Sequence, residues 1–155
     1  MIVVSDTSAL TNLLAIRREW LLERLFGTVV IPPAVHEELR AAHSLLPAFL
    51  EIRNVRDSSK VAVLLDERLD PGEAEAIVMA EEIGADYLLI DESAGRAVAV
   101  RRGLDIMGLL GVLGRAKRNG LIAAVRPEIE ALEATAGFWI SEKLREQILS
   151  DMNEA

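Results

Sequence analysis

Two short apolar runs that each stop at an acid constrain this chain most. Ile2-Val3-Val4 leads through Ser5 to Asp6, and Tyr87-Leu88-Leu89-Ile90 leads directly to Asp91. Neither run is broken by a polar residue, the pattern of a strand covered on both faces. Each passes into a helical pattern, marked by Leu10, Leu13, Leu14 and Leu21 after the first and by Ala97, Val98 and Val100 after the second. Buried strands that alternate with helices imply a three-layer α/β/α sandwich around a mostly parallel sheet. Ligands of such sheets bind beyond the carboxyl ends of the strands. Asp6 and Asp91 both fall there, and they face one crevice if their strands are neighbours. A purely local role is also open, since Asp6, Thr7 or Ser8 suits the N-cap of the first helix.

Further along, Thr28-Val29-Val30-Ile31 reads as a second strand, stopped by Pro32-Pro33. A helix follows to about His43, with Val35, Leu39 and Ala42 as its apolar stripe. Glu38 lies at the margin of that stripe, whereas Glu37 is rotated about 100° away toward water. Phe49 to Val55 alternates loosely, as an edge strand would, and Lys60 to Leu69 is helical in spacing. Asp70-Pro71-Gly72-Glu73 then opens another helix, with aspartate at N-cap, proline at N1 and glutamate at N3. Glu73 thereby has a structural role in a capping box. Glu75 has only the general attraction of an acid to a helix N-terminus. Asp105-Ile106-Met107 reads as a last short strand, and Gly108, Gly111 and Gly114 fall on one face of the next helix. That spacing suits close packing of backbones. A helix from Pro127 to Thr135 comes next, and Ile140, Leu144, Ile148 and Met152 form a final stripe, packed on the sheet or on another subunit. One domain over 1–155 is expected, with a helical extension from about 125.

Composition narrows the chemistry. Aromatics are 4% of 155 residues against 51% hydrophobic overall, so the core is aliphatic. There is no cysteine, which removes disulfides, thiolate nucleophiles and cysteine-bound zinc. No charged-then-apolar leader opens the chain and no apolar run approaches the roughly 20 residues of a membrane span, so a cytoplasmic protein is expected. The net charge of −8 argues against nucleic acid as a partner. Locally the balance reverses: Arg96, Arg101, Arg102, Arg115, Lys117 and Arg118 face one acid, Asp105, across that stretch. It reads either as a phosphate-holding face or as ordinary solvated helix surface.

Asp6, Glu38, Glu75 and Asp91 together would repel one another unless a cation lay between them. Hard Mg²⁺ or Mn²⁺ takes oxygen ligands and needs no histidine. His36 and His43 are seven apart, too far for a chelating pair on one turn. An acid-only site with such a metal points to phosphoryl chemistry.

The same residues resemble those of PIN-domain ribonucleases. Val4-Ser5-Asp6-Thr7-Ser8-Ala9-Leu10 looks like the family's first-strand motif, and Pro32-Pro33-Ala34-Val35-His36-Glu37-Glu38-Leu39 like its helix-borne glutamate motif. Gly72-Glu73-Ala74-Glu75-Ala76-Ile77 stands where the third acid opens a helix, and Leu89-Ile90-Asp91-Glu92 where the fourth follows a strand. Gly108-Leu109-Leu110-Gly111-Val112-Leu113 and the tail look most like a less-characterised prokaryotic branch. The resemblance implies a Mg²⁺- or Mn²⁺-dependent endoribonuclease, often the toxin of a VapC-type toxin–antitoxin pair, with RNA and a cognate antitoxin as partners; the expectation of a homodimer rests on the C-terminal stripe alone. Asp6, Glu38, Glu75 and Asp91 would be metal ligands, and Thr7, Ser8 and Glu73 would support them. The usual third acid is aspartate, so Glu75 departs by one methylene. Two rivals remain: a PIN-like binding protein without cleavage, and a phosphatase with Asp6 as nucleophile. The phosphatase pattern wants a second acid where Ser8 stands.

Overall fold

The apolar run ahead of Asp6 forms β1 (Val3–Ser5), at the centre of a five-stranded sheet. On one side lie β2 (Val29–Ile31) and the edge strand β3 (Leu50–Ile52). On the other lie β4 (Tyr87–Leu89) and the edge strand β5 (Ile106–Met107). The computed structural model describes residues 1–155. Every pairing is parallel, with Val4 opposite Val30 on one side and Leu88 on the other. The chain lays β1, β2 and β3 outward in one direction, then returns to place β4 and β5 beyond β1. Its direction of winding therefore reverses between β1 and β4, and this is where an open parallel sheet forms a ligand crevice.

Side chains alternate across the sheet with period two, so each strand feeds two cores. Val3, Val29, Ile31 and Leu89 face one core, packed by α1 (Thr7–Ala15), α2 (Trp20–Phe26) and α3 (Pro33–Ala42). The chain adds α7 (Leu109–Arg118), α8 (Arg126–Thr135) and α9 (Glu142–Asp151) to that side. Val4, Val30, Leu88 and Ile90 face the other core, closed by α4 (Ser58–Asp66), α5 (Pro71–Glu82) and α6 (Ser93–Arg101). The result is the α/β/α sandwich expected from strand–helix alternation. No helix is long and apolar enough to cross a membrane.

Several local expectations change. The leucine pattern from Leu10 to Leu21 is two helices, because Arg17 adopts a left-handed backbone (φ 57°) and ends α1. Arg17 N–H and Arg18 N–H donate back to the carbonyls of Leu14 and Leu13, a closure that glycine usually makes. Of the C-terminal stripe, Ile140, Ile148 and Met152 pack on the first core as expected, while Leu144 is 49% exposed and Leu149 is buried in its stead. The three glycines do not serve one common packing contact. Gly108 precedes α7, Gly111 lies against Met107 and Gly114 against Met152.

The C-terminus clasps the fold. Val125, at the N-cap of α8, has no side chain that can cap it. Glu154 serves instead, accepting from the N–H groups of Val125 (2.7 Å) and Arg126 (3.0 Å) and from Lys117 Nζ (2.9 Å). Glu154→Ala should therefore lower stability by about 1–2 kcal/mol, as loss of an N-cap does. The urea midpoint reads this directly, and an unchanged midpoint would refute the clasp.

Candidate active site

Asp6 and Asp91 leave from neighbouring strand ends. Ser5 lies opposite Leu89, and Asp6 N–H donates to the Leu89 carbonyl at 3.0 Å. The capping role of Asp6 accounts for one oxygen only: Oδ1 accepts from Ala9 N–H at 3.2 Å. Oδ2 is buried and has no hydrogen-bond partner. A carboxylate 1% exposed with an orphaned oxygen is costly in its charged form. Burial accordingly pushes the Asp6 carboxyl up to about 8, Asp91, Glu73 and Asp70 add to the rise, and the Ala9 N–H opposes it.

Asp91 sits at the N-terminus of α7, where both its oxygens take the Leu109 N–H, at 3.1 and 3.2 Å. Gly108 leaves room for it: a Cβ there would stand 2.8 Å from Asp91 Oδ1 and displace the carboxylate. Burial raises the Asp91 carboxyl, while the Leu109 N–H and the positive charge of Arg96 pull it down.

On α5 the acid beside Asp6 is Glu73, not the expected Glu75. Glu75 turns away from this cluster and accepts from Ala34 N–H at 3.0 Å, fastening α5 to the start of α3. Glu73, only 7% exposed, takes its place beside Asp6. The capping box does form, with Glu73 N–H donating to Asp70 Oδ1 at 2.8 Å and Asp70 N–H to Glu73 Oε1 at 3.3 Å. Glu73 Oε2 remains, buried and unpartnered. It lies against Gly95, where a Cβ would approach it to 2.6 Å. Burial is the first cause that raises the Glu73 carboxyl to about 7, helped by the Asp70 side chain and the Glu92 charge. Two residues along a helix is a rotation of about 200°, so Glu73 and Glu75 cannot face the same side.

Glu38 bridges two elements. One oxygen accepts from Thr7 Oγ1 and the other from Gly72 N–H at 3.2 Å. It therefore ties the first turn of α1 to the first turn of α5, the turn that carries Glu73. Thr7 is its hydroxyl partner, as expected of a supporting residue, whereas Ser8 lines the open cleft next to the acids.

The basic stretch does not form one face, because the sheet divides it: α6 closes one core and α7 the other. Arg101 pairs with Glu67, Arg102 with Glu81 and Lys117 with Glu154. Arg115 stacks over Phe26 and Tyr87, and Arg118 lies beside it on that side. Arg96 alone stands near Asp91, and it makes no salt bridge.

Asp91 opens onto a cleft of about 430 Å³, whose other wall is the α8–α9 connection, Ala136 to Trp139. Sequence pattern misses this wall because it has no period; its only signal is a lone tryptophan between two helices.

Two buried carboxylate oxygens without donors fit a hard cation, which would replace the missing partners and relieve the repulsion. No three acidic or imidazole groups converge as a ready cage. The donor set therefore suits Mg²⁺ or Mn²⁺, which take one or two carboxylates and keep several waters, better than a cation wanting an all-protein shell. A search of curated proteins finds no match to the chain. A family model described as a PIN domain, DUF3368, matches residues 2–154. PIN domains are generally nucleases and typically use divalent metals. The match runs from the first strand through both C-terminal helices, and over nearly all its length the chain belongs to the PIN-domain family.

Proposed function

We propose that this protein is a Mg²⁺- or Mn²⁺-dependent endoribonuclease. The observation that carries the reading is the pair of buried, donorless oxygens, Asp6 Oδ2 and Glu73 Oε2, at the reversal point of the sheet. Asp6 and Glu73 would hold the cation through these two oxygens, with Asp91 beside them and water completing its shell. When bound, a metal here supplies an activated water and neutralises charge on the phosphodiester. Glu38 positions rather than reacts: through Thr7 and Gly72 it locks the two helix starts that present Asp6 and Glu73. Arg96, unpaired beside Asp91, is the residue to hold a phosphate oxygen.

The test is cleavage of a mixed RNA pool by purified protein with Mn²⁺, with Mg²⁺ and with chelator. Cutting with either metal and none with chelator is expected; cutting that persists in chelator refutes the metal-dependent site. The net charge of −8 and a glutamate where the family's third acid is usually aspartate favour one second reading, a PIN-like protein that binds nucleic acid without cutting it. Binding without cleavage under any metal would select it.

The resemblance to VapC-type proteins extends the proposal to a toxin of a type II pair, acting on cytoplasmic RNA and neutralised by an antitoxin. Growth arrest on expression, relieved by the product of a neighbouring gene, tests this. Sedimentation of the purified protein tests the homodimer.

A further inference from the structure

We infer that the cleft beside Asp91 seats one unpaired nucleobase of a single-stranded RNA, stacked on Trp139, next to the phosphate that the acids address. The inference rests on the nuclease reading and adds a base-stacking subsite to it. Trp139 is 81% exposed, yet its backbone is held: Ile140 is buried after it, and Phe138 before it packs on the first core. Phe138 N–H also donates to the Leu132 carbonyl at 3.1 Å. An exposed indole on a short anchored segment is a flat surface whose backbone has little ordering left to lose, as base stacking needs. Opposite it, α1 buries Ala9, Leu10 and Leu13 and turns Ser8, Thr11 and Asn12 to the cleft. The Asn12 amide offers both a donor and acceptors, which matches the mixed edge of a base.

Charge decides between base and phosphate. The cleft walls carry no cation, and Asp91 and Glu92 are acids. A phosphate is repelled there, whereas a neutral base is not. A duplex keeps its bases stacked inside, so only an unpaired strand can offer one.

The experiment uses full-length protein carrying Trp20→Phe, which leaves Trp139 as the only tryptophan of the chain's two. Oligoadenylate of about 12 nucleotides, a length spanning usual single-strand sites, is titrated in chelator so that binding is read without cleavage. Quenching of the Trp139 fluorescence by this strand, and not by its duplex with oligouridylate, is expected. By anisotropy of labelled strand, Trp139→Ala should bind about tenfold more weakly or worse, and Trp139→Phe should recover most of the loss. No quenching, equal quenching by duplex, or equal binding by Trp139→Ala overturns the inference; the last result would leave the indole to a protein partner. Cleavage is scored separately. Metal-dependent cutting with Trp139→Ala behaving as the parent sinks the stacking site and spares the nuclease, while Trp139-dependent binding without any cutting does the reverse.

Discussion

Asp6→Asn is expected to lower RNA cleavage by more than about 100-fold, because even changes around a metal's direct ligands cost roughly 10–100-fold. The same substitution should stabilise the metal-free protein at pH 8. The sign follows from the raised carboxyl, at about 8 in the fold against an ordinary 3.8. Below about pH 4 both folded and unfolded chains carry the proton, and the contribution to stability is whole. As pH rises from there toward 8 the unfolded chain ionises first, and stability is lost until the folded carboxyl also ionises. The shift corresponds to an upper bound on the order of 5 kcal/mol. Asparagine keeps the Ala9 cap but leaves an unpartnered N–H group in place of Oδ2, costing about 1–3 kcal/mol. A net gain of about 2 kcal/mol would raise the melting temperature at pH 8 by roughly 4–8 °C. Melting curves from pH 5 to 8, with chelator and with Mn²⁺, check both halves. Mn²⁺ should raise the melting temperature of the parent at pH 8 and leave Asp6→Asn nearly unmoved. An Asp6→Asn protein that cuts normally, or that melts lower at pH 8 without metal, would remove Asp6 from the site.

Glu73→Gln should reduce cleavage by at least about tenfold, and Glu75→Gln should change it by less than about twofold. The pair is informative because the two residues stand in the same first turn and bear the same group. Glutamine at position 73 still serves as the reciprocal partner of the Asp70 cap, so the fold tolerates it. What it removes is the charge behind Oε2, buried beside Asp6. Glu75→Gln instead touches the bond to Ala34 N–H, worth about 1 kcal/mol of stability or less and nothing at the metal. Cleavage by both variants, with initial rates at saturating Mn²⁺, decides between them. The reverse result, with Glu75→Gln inactive and Glu73→Gln active, would return the third acid to Glu75.

Glu73 shows why a capping assignment is an incomplete account of a residue. The sequence motif from Asp70 to Glu73 is local and correct, and both of its hydrogen bonds form. They use one carboxylate oxygen and leave the other to the tertiary environment. Asp6 behaves the same way: its cap takes Oδ1, and the site takes Oδ2.

What this chain's sequence determined by itself is whatever depends on neighbours a few residues away. The strands that end in Asp6 and Asp91, the alternation that makes the sheet parallel, the prolines and cap that open α3 and α5, and the marginal placement of Glu38 all belong to that class. The tertiary structure alone decided which glutamate of α5 faces the crevice. That choice depends on α5 packing on the sheet and touching α3, with Glu75 drawn to the N-terminus of that helix, 41 residues away in sequence. It also decided that a basic run in sequence is no basic face in space, since a sheet passes between α6 and α7. It brought Trp139 opposite the first helix, across a connection with no period to read. Periodicity records which side of an element is buried; the partner on that side is set by contacts between segments far apart in the chain.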